Sequence, residues 1–183
     1  MATNKWVIDK AHSEVEFKIK HLMITNVTGK FKEFESSVIA DDNDFTKSKI
    51  NFIVDIDSID TRDESRDKHL KGEEFFSSEK FPKLSFTGKQ LTHKSGEHYV
   101  LEGDLTIRDV TQPITLDVEF GGITKDPWGQ TKAGFTIKGK LSRSAYGLKW
   151  NAITESGGVV VSDEVRLNVE AQFVKQQVAV EAV

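Results

Sequence analysis

Five histidines and a repeated arginine–aspartate pair are the side chains of this sequence best suited to chemistry. His12, His21, His69, His93 and His98 include no two at the i, i+4 spacing that, with a nearby acid, sets two imidazoles on one metal ion. A site joining His12, His21 and His69 would have to be assembled by the fold. Arg62-Asp63 and Arg66-Asp67 recur at helical spacing. Acid/base or phosphate chemistry is one use of such a doublet; a solvated, self-paired helix face is the commoner one. No serine sits in a Gly-x-Ser-x-Gly elbow, and no dinucleotide or P-loop glycine pattern occurs. The chain has no cysteine, which excludes disulfides, thiol nucleophiles and thiolate metal sites. No catalytic residue, metal or cofactor is expected, and the chain reads as a non-enzyme.

Two polar side chains stand out by position instead. Arg143 ends a face formed by Ala133, Phe135, Ile137, Gly139 and Leu141. An arginine is almost never buried unpaired, so it needs a carboxylate, carbonyls or an anionic head group. His21 ends the face of Val15, Phe17 and Ile19 in the same way. A lone inward histidine is more often a satisfied core or rim residue than a ligand.

The elements that must position these residues are strands. Apolar residues alternate with polar ones at Ile50, Phe52, Val54 and Ile56, at Tyr99, Leu101, Gly103, Leu105 and Ile107, and at Ile114, Leu116, Val118 and Phe120. Val165, Leu167, Val169, Ala171 and Phe173 continue the pattern, Leu84 and Phe86 start another strand, and Phe34, Ser36 and Val38 read as one more. A short strand at Trp6–Asp9 is read as continuous with its neighbour. Period-two patterning means half-buried antiparallel strands. About eight of them suffice to close a small barrel that holds one ligand. The inward face includes Ser36, Gly88, Gly103, Ala133, Gly139 and Ala171. A filled core can also alternate large and small; the other reading is that these residues leave room.

Ser58 to Lys71 breaks the rhythm and reads as a helix, with Thr61 and Glu64 as a capping box, Asp63 and Arg66 as a pair, and Gly72 as the stop. Leu70, Phe75 and Phe76 are apolar enough to cap a barrel end. Ser144 to Ser162 is a long connection carrying Tyr146, Leu148, Trp150 and Ile153, made flexible by Gly157-Gly158, and reads as a lid or pocket rim. The domain is expected over 1–174, with 175–183 a tail.

The net charge of -4 argues against a nucleic-acid partner. No stretch approaches the roughly 18 apolar residues of a membrane span. Met1 to Lys5 lacks an apolar signal region, so a cytoplasmic location is expected, or a periplasmic one if a signal peptide was removed.

Taken together, Asp9-Lys10-Ala11-His12-Ser13, His21-Leu22-Met23, Val27-Thr28-Gly29-Lys30-Phe31, Ser58-Ile59-Asp60-Thr61, Arg66-Asp67-Lys68-His69-Leu70-Lys71, Phe75-Phe76, Phe81-Pro82, Gly103-Asp104-Leu105-Thr106-Ile107, Val110-Thr111-Gln112-Pro113, Arg143-Ser144-Ala145-Tyr146-Gly147 and Asp163-Glu164-Val165 resemble the YceI-like proteins. These are polyisoprenoid-binding, lipocalin-like barrel proteins, and the likeness runs from about Trp6 to Phe173. Ala145 departs from the family pattern, which has a polar or acidic residue there, and this bears on how Arg143 is paired. The resemblance implies an all-β, antiparallel eight-stranded barrel with a short helical insertion around residues 61–76. It implies an interior that holds an isoprenoid or quinone-type lipid for carriage, storage or protection, and it permits a homodimer. The expected apolar lining is Phe17, Ile19, Phe52, Val54, Phe86, Leu105, Ile107, Val118, Phe135, Ile137 and Leu141, with His21, Arg143 and Tyr146 as polar groups near a mouth. The rival readings are a small lipid-modifying enzyme using His21 or His69 with a nearby acid, and an interaction module with a filled core.

Overall fold

A computed structural model describes residues 3–41, 44–152 and 160–176. Its strands are β1 (Thr3–Ile8), β2 (Glu14–His21), β3 (Thr25–Phe31), β4 (Phe34–Asp41), β5 (Asp44–Asp55), β6 (Ile59–Asp60), β7 (Lys83–Ser95), β8 (His98–Ile107), β9 (Val110–Lys125), β10 (Thr131–Ser142) and β11 (Val161–Lys175), with one helix, α1 (Glu64–Lys71), before β7. The order β1-β4-β5-β7-β8-β9-β10-β11 closes on itself because β1 also pairs with β11, giving an eight-stranded antiparallel barrel. Closure removes the edges of these eight strands, while β2, β3 and β6 continue the sheet from β11.

The first wall strand is β1 and β2 in succession, as the sequence predicts. Trp6 to Ile8 pair with Lys175 to Phe173, and Val15 to Ile19 pair with Val169 to Val165. The interruption between them is a tight turn capped by Asp9, whose side chain accepts from the Ala11 N–H. The same carboxylate meets Lys132 Nζ at 2.7 Å and His12 Nδ1 at 2.9 Å. The Lys132 contact is the main cause that holds the Asp9 carboxyl below its usual range. Lys132 is buried, so the pair is a strut inside the wall. Asp9→Asn is expected to cost about 2–3 kcal/mol at pH 7, because it leaves an ammonium without its carboxylate. A carboxyl with a depressed folded-state pKa contributes stability above its unfolded pKa and loses it as pH falls through the folded value. Urea unfolding from pH 7 down to below 4 should therefore show a shallower acid loss in the variant than in the wild type.

Three elements differ from the sequence reading. The helix begins at Glu64 rather than Ser58, because Asp63 caps it by accepting from the Arg66 N–H. Ahead of it, Ile59 and Asp60 pair with β3, and Arg62 sits at φ 66°, outside helical space. Thr61, read as the cap, instead donates from its hydroxyl and its N–H to Asp67 at 2.5 and 2.9 Å. Arg66 does not pair with Asp63 through its guanidinium; it donates to the Thr61 hydroxyl and carbonyl at 2.8 and 2.5 Å. The strand β11 also outlasts its expected end: Val174 and Lys175 pair with Val7 and Trp6. Residues 177–183 of the expected tail, and Ile153 and Gly157-Gly158 of the long connection, lie outside the described residues.

Candidate functional site

The barrel interior contains two cavities. The inner one, about 160 Å³, is bounded by Phe52, Val54, Phe86, Leu105, Val118, Phe135 and Ile137 among other apolar side chains. Its end is plugged by aromatics: Phe45 packs on Trp6, Phe120 and Phe135 at ring separations of 5.9, 5.4 and 5.6 Å. Ser48 faces it, but its hydroxyl donates to the Phe45 carbonyl at 2.5 Å. The inward hydroxyl of Ser36 is likewise committed, to the Asn51 carbonyl at 2.7 Å. Glu16 is the other polar residue on the lining, and a chamber with so few polar partners holds water poorly and hydrocarbon well.

The outer cavity, about 250 Å³, lies beneath α1, between the β2–β3 hairpin and the connection after β10. Phe17, Ile19, His21, Ile107 and Arg143 line it, as do Thr61, Arg66 and His69. Phe31, Leu84, Leu141 and Leu167 line both cavities and so form the boundary between them. Over the outer chamber, His69 packs edge-on against Phe75 and Trp150, each at 5.0 Å, while Phe75 and Trp150 meet at 5.5 Å. This cluster joins the helical insertion to the long connection and forms a lid.

The lid's connection is held by Arg143. This buried guanidinium donates to the carbonyls of Leu148 and Trp150 at 2.7 Å, Ser162 at 2.9 Å and Val161 at 3.2 Å. Of the three partners open to it from sequence, it takes carbonyls. Burial lowers its pKa, and the nearby Asp163 opposes that. For Asp163, burial acts to raise the pKa, but hydrogen bonds from Ser142 and Ser144 and the Arg143 charge outweigh it and hold the carboxyl low. Tyr146, expected near the mouth, does not line either cavity; it is buried in the short turn Ser144–Tyr146, and burial pushes its phenol up. That turn closes on Gly147, which takes φ 84° and donates its N–H to the Ser144 carbonyl.

The other thirteen sequence-derived site residues all line one cavity or the other. The inward glycines are not the source of the space. A Cβ on Gly103 would meet the Phe86 ring at 2.5 Å, and one on Gly139 would strike Leu116. Each glycine is covered by a neighbour's side chain. Sequence reasoning missed Phe45, whose surroundings Thr46, Lys47 and Ser48 mask the strand pattern, and Arg66 as a lining residue of the outer chamber; His69, weighed from sequence only for metal or acid/base chemistry, stands beside it there. The spacing of Arg66, His69 and Leu70 on one face of α1 was the available signal. No Asp or Glu lines the outer chamber among the described residues, and no cluster there could hold a metal ion. The two cavities also overturn the filled-core reading.

Comparison with known proteins places this architecture. The chain matches the YceI-like domain over residues 6–173. It is 40% identical over 170 residues to a UPF0312 protein of Staphylococcus epidermidis, covering 92% of this chain and 96% of the relative. A crystal structure of the Campylobacter jejuni YCEI protein superposes with a TM-score of 0.73 at 35% identity, covering 92% of this chain and 96% of that one. A polyisoprenoid binding domain from Saccharophagus degradans shares the fold at 12% identity, TM-score 0.69, covering 93% and 98%.

Proposed function

Because the chain belongs to the family of YceI-like domains, we propose that its barrel binds one long isoprenoid or related amphipathic lipid, tail inward, for carriage, storage or protection. The observation that carries this reading is the apolar inner chamber that adjoins, across a boundary of apolar side chains, an outer chamber lined by arginines and, among the described residues, by no carboxylate. A tail that fills the inner chamber recovers the packing that a void of this size forgoes, about 4 kcal/mol at the cost found for cavity-forming substitutions. Each buried methylene is worth about 0.8 kcal/mol relative to water. The tail therefore needs no polar contact. The head group would rest in the outer chamber against Arg66, His21 and His69, which favours a head that accepts hydrogen bonds, a quinone-type carbonyl among them. The polyisoprenoid named for the Saccharophagus degradans domain supplies the chemical class of the tail.

The test is mass spectrometry of an organic extract of the natively purified chain. A prenyl lipid near one per protein is the expected result. An extract without stoichiometric lipid, together with no uptake of prenyl lipids by the purified protein, would end the proposal. One contact favours a second reading: His69 Nε2 lies 2.5 Å from Glu74 Oε2 at the lid of the outer chamber, the arrangement of an acid-oriented base acting on a bound lipid. Incubation of wild type and His69→Ala with prenyl lipids, followed by product analysis, separates the two. Turnover absent from the wild type, or unchanged in the variant, removes the second reading.

A further inference from the structure

The tip of the β2–β3 hairpin combines costly backbone with large apolar side chains left exposed to solvent. Leu22 and Met23 both hold positive φ, 51° and 62°. The turn is closed by the Ile24 N–H donating to the His21 carbonyl at 3.1 Å. Two central residues at positive φ are what a primed hairpin turn demands, and Asn-Gly meets that demand with least strain. Here the positions carry two bulky apolar residues followed by a third, exposed by 42%, 55% and 77% at Leu22, Met23 and Ile24. Such a conflict between conformation and residue type points to a use outside the fold.

Position and charge say what the use is. His21, immediately before the tip, lines the outer chamber, and the Leu22 N–H donates to Val160, another lining residue, at 2.8 Å. The tip is thus part of the chamber's rim. Behind it on the outer face of β2 stand Lys18 and Lys20, exposed and without an ion-pair partner among the described residues. The acids on the facing stretch of β11 are committed elsewhere, Asp163 to Ser142 and Ser144, Glu164 to Lys140 and Arg166. Apolar side chains in front and free ammonium groups two and four residues behind match the depth profile of a lipid surface, acyl chains first and anionic head groups next.

We propose that the Leu22–Met23–Ile24 tip inserts into an anionic phospholipid bilayer and sets the mouth of the barrel against it. That the docked mouth exchanges lipid with the bilayer rests on the lipid-binding reading above; the docking itself does not. Lipid passing between bilayer and outer chamber would then avoid crossing water.

The experiment is flotation of the full chain with vesicles of phosphatidylglycerol and phosphatidylcholine, and with phosphatidylcholine alone. Wild type is expected to float with the anionic vesicles, less so as salt rises. The combined variant Leu22→Asn, Met23→Gly, Ile24→Thr should lower partitioning about a hundred-fold with Tm unchanged or raised, since Asn-Gly suits the turn. Lys18→Gln with Lys20→Gln should lower anionic-vesicle binding about thirty-fold and leave phosphatidylcholine binding alone. Absence of flotation, undiminished flotation of the tip variant, or a fall in its Tm would overturn the proposal. So would a wild-type dimer that the tip variant alone dissolves, since the tip would then be a contact between copies. Flotation with a lipid-free extract would retire the cargo reading and keep the docking; a lipid-loaded protein that never floats would do the reverse.

Discussion

Arg143→Ala should be among the most destabilising single substitutions in this protein, at about 3–5 kcal/mol. The side chain is buried, and it organises the connection between β10 and β11 by donating to four backbone carbonyls, those of Leu148, Trp150, Val161 and Ser162. Truncation leaves those acceptors in a poorly hydrated site and opens a hole beside the outer chamber. Arg143→Lys keeps the charge but cannot span the same set, because an ammonium is a compact donor and a guanidinium a planar fork. Its loss should be intermediate, about 1–2 kcal/mol. Urea unfolding at pH 7 reads both numbers, and limited proteolysis between Leu148 and Val161 reads the local effect. If Arg143→Ala unfolds within 0.5 kcal/mol of wild type, the clamp is not what holds the lid.

Leu141→Trp should divide long-chain from short-chain binding. Leu141 is one of four side chains at the boundary between the chambers, which a tail reaching the inner one must pass. A tryptophan there blocks the way to the inner chamber while the outer one keeps its head-group residues. Excluding a single five-carbon isoprene unit forfeits about 4 kcal/mol, roughly a thousand-fold in Kd. A prenyl probe short enough to occupy one chamber should lose much less. Overpacking would cost the fold about 1–3 kcal/mol, which a melting curve separates from the binding effect. Unchanged affinity for long prenyl chains in a folded variant would show that the tail does not pass this boundary.

Much of the barrel was legible in the chain because a strand's side-chain period is two and cannot be shifted without turning an apolar face to water. Phe135, Ile137 and Leu141, or Leu105 and Ile107, declare their face by spacing alone, and all five line a cavity. The helix start was legible only in part. Thr61 and Asp63 are both good caps, and the choice fell to Asp63 once Ile59 and Asp60 were drawn into pairing with β3 and Thr61 was taken by Asp67. Local capping preferences of similar size cannot settle a contest that long-range pairing decides. Tyr146 was misplaced because alternation stops at Ser142, and beyond it a turn, not a pleat, sets the direction of each side chain.

What the sequence by itself determined is which residues face inward, that the strands suffice for a closed barrel, and that no familiar catalytic or metal motif lies along the chain. Only the tertiary structure decided where the space is. The inward glycines looked like the source of room, yet Gly103 and Gly139 are covered by Phe86 and Leu116, and the cavities lie among large side chains instead. It also brought Arg66 and His69 over a chamber built by strands far from them in the chain, and turned Arg143 from a candidate head-group ligand into the clamp of the lid. The reason is physical. Periodicity reports the direction of a side chain from its own backbone, whereas a void depends on how side chains from opposite walls fill the volume between them, and that is fixed only when the barrel closes.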